Sequence, residues 1–205
     1  MRGRVIVVGG HSRGVGKTAL SVALVRALAP RAVVTVKVSA HRHGGGHVAI
    51  EEDAAPSLAT STGRCLAAGA ARAFLCRCPD GQLHEVAALV RVLSSGGYDV
   101  VVESNRMAPL VAADLTLFVT SSDTPDWKAS SEMCLARADA LVLAPGSVVS
   151  PRVRGAVETH RRGLMPVLHF DPTWCIPGLS RWVSFMTGGG GRLPAPRPRS
   201  TQPHG

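Results

Sequence analysis

Short unbroken runs of apolar, largely β-branched residues recur along this chain. They alternate with Ala- and Leu-rich stretches whose apolar positions repeat every three or four residues. The apolar runs predict strands at residues 4–8, 32–38, 73–76, 99–103, 115–120, 140–143 and 166–170. Strands covered on both faces read as continuous apolar runs, whereas half-exposed antiparallel strands alternate. Helices are predicted at residues 17–28, 62–70, 82–94, 129–137, 152–161 and 179–186. In the third of these, Leu83, Val86, Ala87, Val90 and Leu93 fall on one face, which is the face that packs on a sheet. Strands and helices in alternation predict an α/β fold: a three-layer, mostly parallel sheet with helices on both faces.

Two stretches fall outside this pattern. Residues 39–56 hold His41, His43, His47 and three consecutive glycines, and read as a long flexible loop. Residues 121–128 read as a second polar loop, after the fifth predicted strand. The end of the chain, 188–205, opens on four glycines and carries Pro194, Pro196, Pro198 and Pro203, so it reads as a disordered tail behind one domain at 1–187. No internal repeat is visible.

Composition narrows the class. Of 205 residues, 45% are hydrophobic and 18% charged, which suits a chain with a real core. Aromatics are only 4%, so that core must be built from Val, Leu and Ala. No apolar run approaches the roughly 18 residues of a membrane helix. The apolar run Val5–Val8 behind the basic start is also shorter than the roughly 7 residues of a secretory core. These features give the expectation of a cytoplasmic protein with no membrane partner. Five cysteines, an odd number, are scattered over the chain and are expected as reduced thiols. The net charge of +9 invites a nucleic-acid reading. The arginines, however, are dispersed without interleaved aromatics, and three of them lie in the tail, so no specific nucleic acid is expected.

The strongest chemical signal is a buried run, Val5-Ile6-Val7-Val8-Gly9, leading into Gly10-His11-Ser12-Arg13-Gly14-Val15-Gly16-Lys17-Thr18 and then a helix that begins Ala19-Leu20. Glycines let consecutive backbone N–H groups turn inward around a phosphate, and the helix start adds its dipole. Lys17 neutralises terminal phosphate charge and Thr18 ligates Mg2+. The residues from Gly10 to Ala19 are therefore the expected binding loop for GTP or ATP, with Arg13 a further phosphate contact. The loop has its first glycine one residue further out than the usual spacing, with His11 in that place. A second element is Val100-Val101-Val102-Glu103, in which a buried strand delivers Glu103 to the carboxyl edge of the sheet. There it would hold the metal or organise the attacking water. Lys17 and Glu103 are the expected catalytic pair, and Thr18 and Glu103 the expected metal ligands.

With these elements placed, the chain resembles the MobB-type family of SIMIBI P-loop proteins, typified by the molybdopterin-guanine dinucleotide biosynthesis protein B. Thr62-Gly63-Arg64-Cys65-Leu66-Ala67-Ala68-Gly69-Ala70 is similar to that family's D-S-x-R-x-x-x-A-G-A signature. Ser61 stands at the position of its Asp, for which Glu51, Glu52 or Asp53 are candidate substitutes. Glu103-Ser104-Asn105 stands where the family reads E-G. The resemblance spans about residues 4 to 120. It implies that Lys37 and Arg64 lie near the nucleotide, and it implies a weak Mg-dependent NTPase that serves molybdenum-cofactor synthesis as an adaptor, completed by a protein partner or a homodimer.

Two alternatives stand beside it. His41, His43 and His47, with Cys76, Cys78 and His84, suggest soft-metal ligands and a metallochaperone NTPase. A small-molecule kinase would use Glu103 or Asp53 as base toward a hydroxyl. No Asn-Lys-x-Asp run reads guanine. Asp126 and Lys128, in the loop after the fifth predicted strand, are candidates for contacting a purine, or that loop is simply solvated.

Overall fold

In a computed structural model the chain is described for residues 2–39, 47–122, 127–160 and 165–188. Eight strands form one sheet: β1 Val5–Gly10, β2 Val33–Ser39, β3 Ala49–Glu52, β4 Arg72–Arg77, β5 Asp99–Glu103, β6 Leu115–Thr120, β7 Ala140–Leu143 and β8 Val167–His169. Their order is β3-β4-β2-β5-β1-β6-β7-β8. Every neighbouring pair is parallel except β3 with β4. The helices are α1 Lys17–Leu28, α2 Ser61–Ala67, α3 Leu83–Ser95, α4 Ala129–Leu135, α5 Pro151–His160 and α6 Leu179–Thr187.

The strand period of two splits each buried strand between two cores. Val5 and Val7 of β1 join Val86, Val90 and Leu93 of α3, Leu135 of α4 and Val153 of α5 on one face. Ile6 and Val8 join Leu20 and Leu24 of α1, Cys65 of α2 and Leu179 and Val183 of α6 on the other. The α/β, three-layer, mostly parallel architecture expected from the unbroken apolar runs is thus present. Among the described residues no helix is long and apolar enough to cross a membrane.

The long loop expected over 39–56 is corrected in part. Ala49–Glu52 is an antiparallel edge strand on β4, with Ile50 opposite Cys76 and Glu51 opposite Leu75. Its run Ala-Ile-Glu-Glu is short and half charged, so it carries none of the buried-strand signal. Cross-strand ion pairs hold it: Arg72 donates to both Glu52 oxygens at 2.7 Å, and Arg77 donates to Glu51. His41 and His43, like the tail beyond Gly188, lie outside the described residues. His47 is exposed.

At the far end of the sheet from the loop between β1 and α1, Asp99 is fully buried at the start of β5. It accepts from Arg4 at 2.6 and 3.1 Å and from Arg31 at 2.6 and 3.1 Å. Burial opposes its charge, but the hydrogen bonds from Arg4 and Arg31 outweigh burial and hold its carboxyl below the ordinary value of 3.8.

Candidate functional site: the carboxyl edge around the loop before α1

β1 ends at Gly10 and α1 begins at Lys17, so the loop 11–16 joins a central buried strand to a helix start at the carboxyl edge of the sheet. Gly14 and Gly16 adopt φ of +80° and +112°, a region that side chains rarely enter, and these turns aim the loop into α1. Gly9 is required for a different reason: a Cβ there would lie 2.2 Å from Cys134 Sγ and 2.7 Å from Asn105 Oδ1. Asn105 itself accepts from the Gly10 N–H at 2.7 Å and donates to the Gly10 carbonyl at 2.8 Å and to Ser131 Oγ at 3.0 Å. One carboxamide therefore fixes the point at which the strand becomes loop.

Inside the loop Lys17 folds back, and its ammonium donates to the Ser12 carbonyl. Burial lowers its pKa below the usual 10.5, Glu103 opposes that shift, and the charges of Lys37 and Lys128 add to it. His11 and Val15 are buried, whereas Arg13 and Gly14 are exposed.

Beside the loop, adjacent parallel strands put Lys37 of β2 in register with Glu103 of β5, and Glu103 in register with Val8 of β1. Lys37 and Glu103 thus project to the α1 and α2 face, where the first residues of both helices meet them. Lys37 Nζ donates to Glu103 Oε1 and to Ser61 Oγ, each at 2.8 Å. Thr18 Oγ1 donates to the Glu103 carboxylate, whose oxygens lie 3.1 and 3.0 Å away, and Ser61 Oγ is 3.3 Å from Thr18 Oγ1. Four side chains from β2, β5, α1 and α2 thus share one hydrogen-bonded cluster. Glu103 is only 8% exposed.

A hydroxyl and a carboxylate about 3 Å apart are a donor set for a hard divalent cation. Two neighbouring oxygens of an octahedral magnesium shell, each about 2.1 Å from the ion, are separated by about that distance.

The remaining candidates are dispersed. Arg64 is exposed on α2 and its Nε donates to the Thr60 carbonyl at 3.4 Å. Asp53 accepts from Thr60 and Thr62 at 3.1 and 2.8 Å, supporting the start of α2, while Glu51 and Glu52 are held on the sheet edge. None of the three acids offered for the Ser61 position is hydrogen-bonded into the Glu103 cluster. Cys76 and Cys78 are buried beside Leu83 and Val86, with burial pushing the Cys76 thiol up to about 12. Among the described residues no three or more His, Cys, Asp or Glu side chains converge on a metal position. Of the loop 121–128, Asp126 lies outside the described residues. Lys128 is exposed at the start of α4, and Trp127 packs on Phe118 with Arg152 over its ring.

Sequence reasoning missed Asn105, Ser131 and Trp174. Trp174, in the loop after β8, reaches over Gly16. The signal for Asn105 was present, since it follows Glu103 by two residues and leaves the same strand end.

No family model matches the chain, and none of the curated proteins matches it. Among solved structures, LpxK from Aquifex aeolicus, crystallised in complex with ATP, is similar with a TM-score of 0.46 and 17% sequence identity. The match covers 82% of this chain and 54% of that one, so the chain spans about half the length of that structure.

Proposed function

We propose that the chain is a Mg-dependent nucleotide-binding protein that holds the phosphates of ATP or GTP on the loop from Gly10 to Ala19 and hydrolyses the terminal phosphate slowly. The observation that carries this reading is the single cluster formed by Thr18, Glu103, Lys37 and Ser61 beside a strand–loop–helix whose lysine is already folded inward. Backbone N–H groups of Gly14 to Thr18, at the start of α1, face negative charge favourably. Lys17 moves from the Ser12 carbonyl to a phosphate oxygen when a nucleotide enters.

Thr18 and Glu103 would hold Mg2+, which when bound offsets charge on the phosphates. Lys37, already paired with Glu103, is placed to follow charge as it develops on the terminal phosphate. No residue in the cluster is a free base aimed at a water, and turnover is accordingly slow without a protein partner or a second copy. By its resemblance to the MobB-type family, the partner class is a cofactor-synthesis enzyme and the role that of an adaptor. Phosphate release from ATP and GTP, measured with and without Mg2+, tests hydrolysis. Release that depends on Mg2+ and disappears in Lys17→Ala supports it, and release equal in wild type and variant contradicts it.

A kinase reading keeps one specific support: Glu103 Oε2 is a carboxylate oxygen at the same edge, able to accept a hydroxyl proton. Its mark would be ADP formation that rises with an added acceptor metabolite.

A further inference from the structure

The loop after β8 brings an aromatic ring onto the phosphate loop from the side opposite the Glu103 cluster. A Cβ on Gly16 would lie 2.5 Å from Trp174 Cζ3 and 3.1 Å from its Cη2, so the indole touches the backbone that leads into Lys17. Trp174 has φ +59°, a conformation rare for a bulky side chain, and is the one non-glycine residue with positive φ among those described.

The surrounding loop imposes this. Asp171 Oδ1 accepts from Thr173 N at 2.8 Å, Thr173 Oγ1 at 2.6 Å and Cys175 N at 2.9 Å. Asp171 N donates to the Cys175 carbonyl at 2.8 Å, and Trp174 N donates to the Asp171 carbonyl at 3.0 Å. Phe170, buried beneath, holds the indole at 5.1 Å between ring centres. Backbone strain that so many bonds over-determine is characteristic of positions with a task beyond packing. Despite this framework, 40% of Trp174 is left exposed. It flanks a cleft of about 380 Å³ between α1 and α6, bordered by Ala23, Ala27, Ile176 and Leu179.

Direction follows from strand order. Glu103, Lys37 and Ser61 lie on the β5–β2 side of β1, so the metal-bearing terminal phosphate belongs there. The rest of a nucleotide then runs to the other side of β1, past β6 and β7, toward the loop after β8. This rests on the phosphate-loop reading above. We propose that Trp174 is the stacking platform for the purine of the bound nucleotide, a flat apolar surface held at a fixed distance from the phosphates by its contact with Gly16. Stacking on an aromatic ring tolerates either purine, and no bidentate base reader is needed.

The test compares ATP, GTP, ribose 5-triphosphate and inorganic tripolyphosphate by calorimetry on wild type, Trp174→Ala and Trp174→Phe. Wild type is expected to bind ATP or GTP about tenfold or more tighter than ribose 5-triphosphate. Trp174→Ala is expected to bring that ratio to within about twofold while leaving tripolyphosphate affinity unchanged, and Trp174→Phe to keep most of the ratio. A wild-type protein that binds ribose 5-triphosphate as tightly as ATP overturns the platform without any variant. Equal loss of ATP and tripolyphosphate in Trp174→Ala also overturns it, since the ring then only braces the loop. Wild type that binds tripolyphosphate but gains nothing from the base contradicts the platform alone. Wild type that binds neither tripolyphosphate nor nucleotide contradicts the phosphate loop, and the platform with it.

Discussion

Asn105 and Gly10 are joined by two hydrogen bonds, one in each direction, so that a side chain on one strand end treats the next strand's last residue as a backbone partner would. The bond to Ser131 ties the same carboxamide to α4. Asn105→Ala leaves a buried N–H and carbonyl without these partners and releases the start of the loop. A loss of about 1–3 kcal/mol in stability is expected. Nucleotide affinity is expected to fall about tenfold, because the loop must be ordered at binding. Thermal melting and calorimetry of the same preparation check both.

Lys17 is a cation that folding partly removes from water, and its pKa is lowered by that burial. A base whose folded pKa lies below its unfolded value opposes folding most at low pH, and the penalty fades as pH rises through the folded pKa. Lys17→Met is therefore expected to leave stability near neutral pH unchanged or raised by up to about 1 kcal/mol, while abolishing phosphate binding. Wild-type affinity for ATP is expected to decline at alkaline pH earlier than the ordinary lysine value of 10.5 would give. Melting curves of the variant and affinity followed from neutral to alkaline pH are the two measurements.

Glu103 shares its charge between Lys37 and the Thr18 hydroxyl. Glu103→Gln keeps the shape and hydrogen-bonding reach but removes the negative charge a divalent cation needs. Binding of nucleotide without Mg2+ is expected to survive or strengthen, whereas the gain in affinity on adding Mg2+ is expected to be lost. Paired titrations with and without Mg2+ read the difference.

Asp99 is a buried acid whose pKa is held down, because the hydrogen bonds from Arg4 and Arg31 outweigh burial. Its contribution is complete above the unfolded carboxylate value near 3.9 and is lost as pH falls through the lower folded value. Asp99→Asn is expected to cost about 2–4 kcal/mol at neutral pH, and much less once acid has protonated the wild-type carboxyl. Denaturant unfolding at neutral and strongly acidic pH checks the convergence.

The thiols divide by burial. Cys65, Cys76, Cys78 and Cys134 are buried, and burial pushes Cys65 up to about 11 and Cys134 to about 12, while Cys175 is exposed. A thiol reagent applied to the native protein is expected to titrate one cysteine promptly and the other four only on unfolding.

The layered fold and the glycine-rich loop between β1 and α1 were legible because their signals are local: an unbroken apolar run, glycines, then Lys17-Thr18 at a helix start. Glu103 was legible because its strand delivers it to a defined edge. The edge strand β3 was not, since half of its residues are acids paired with Arg72 and Arg77 of a strand twenty or more residues away. The meeting of Lys37, Ser61 and Glu103 depends on register between strands and on where α2 begins, which no spacing in the sequence encodes. Trp174 over Gly16 joins residues at opposite ends of the chain, and only the fold brings them together.

Calorimetric titration of the wild-type protein with non-hydrolysable ATP and GTP analogues in the presence of Mg2+, alongside Lys17→Ala, decides whether the loop before α1 holds nucleotide phosphates. Micromolar binding of at least one analogue, lost in the variant, is the expected result. No binding of either analogue by a folded wild-type protein, or equal binding by the variant, would contradict it.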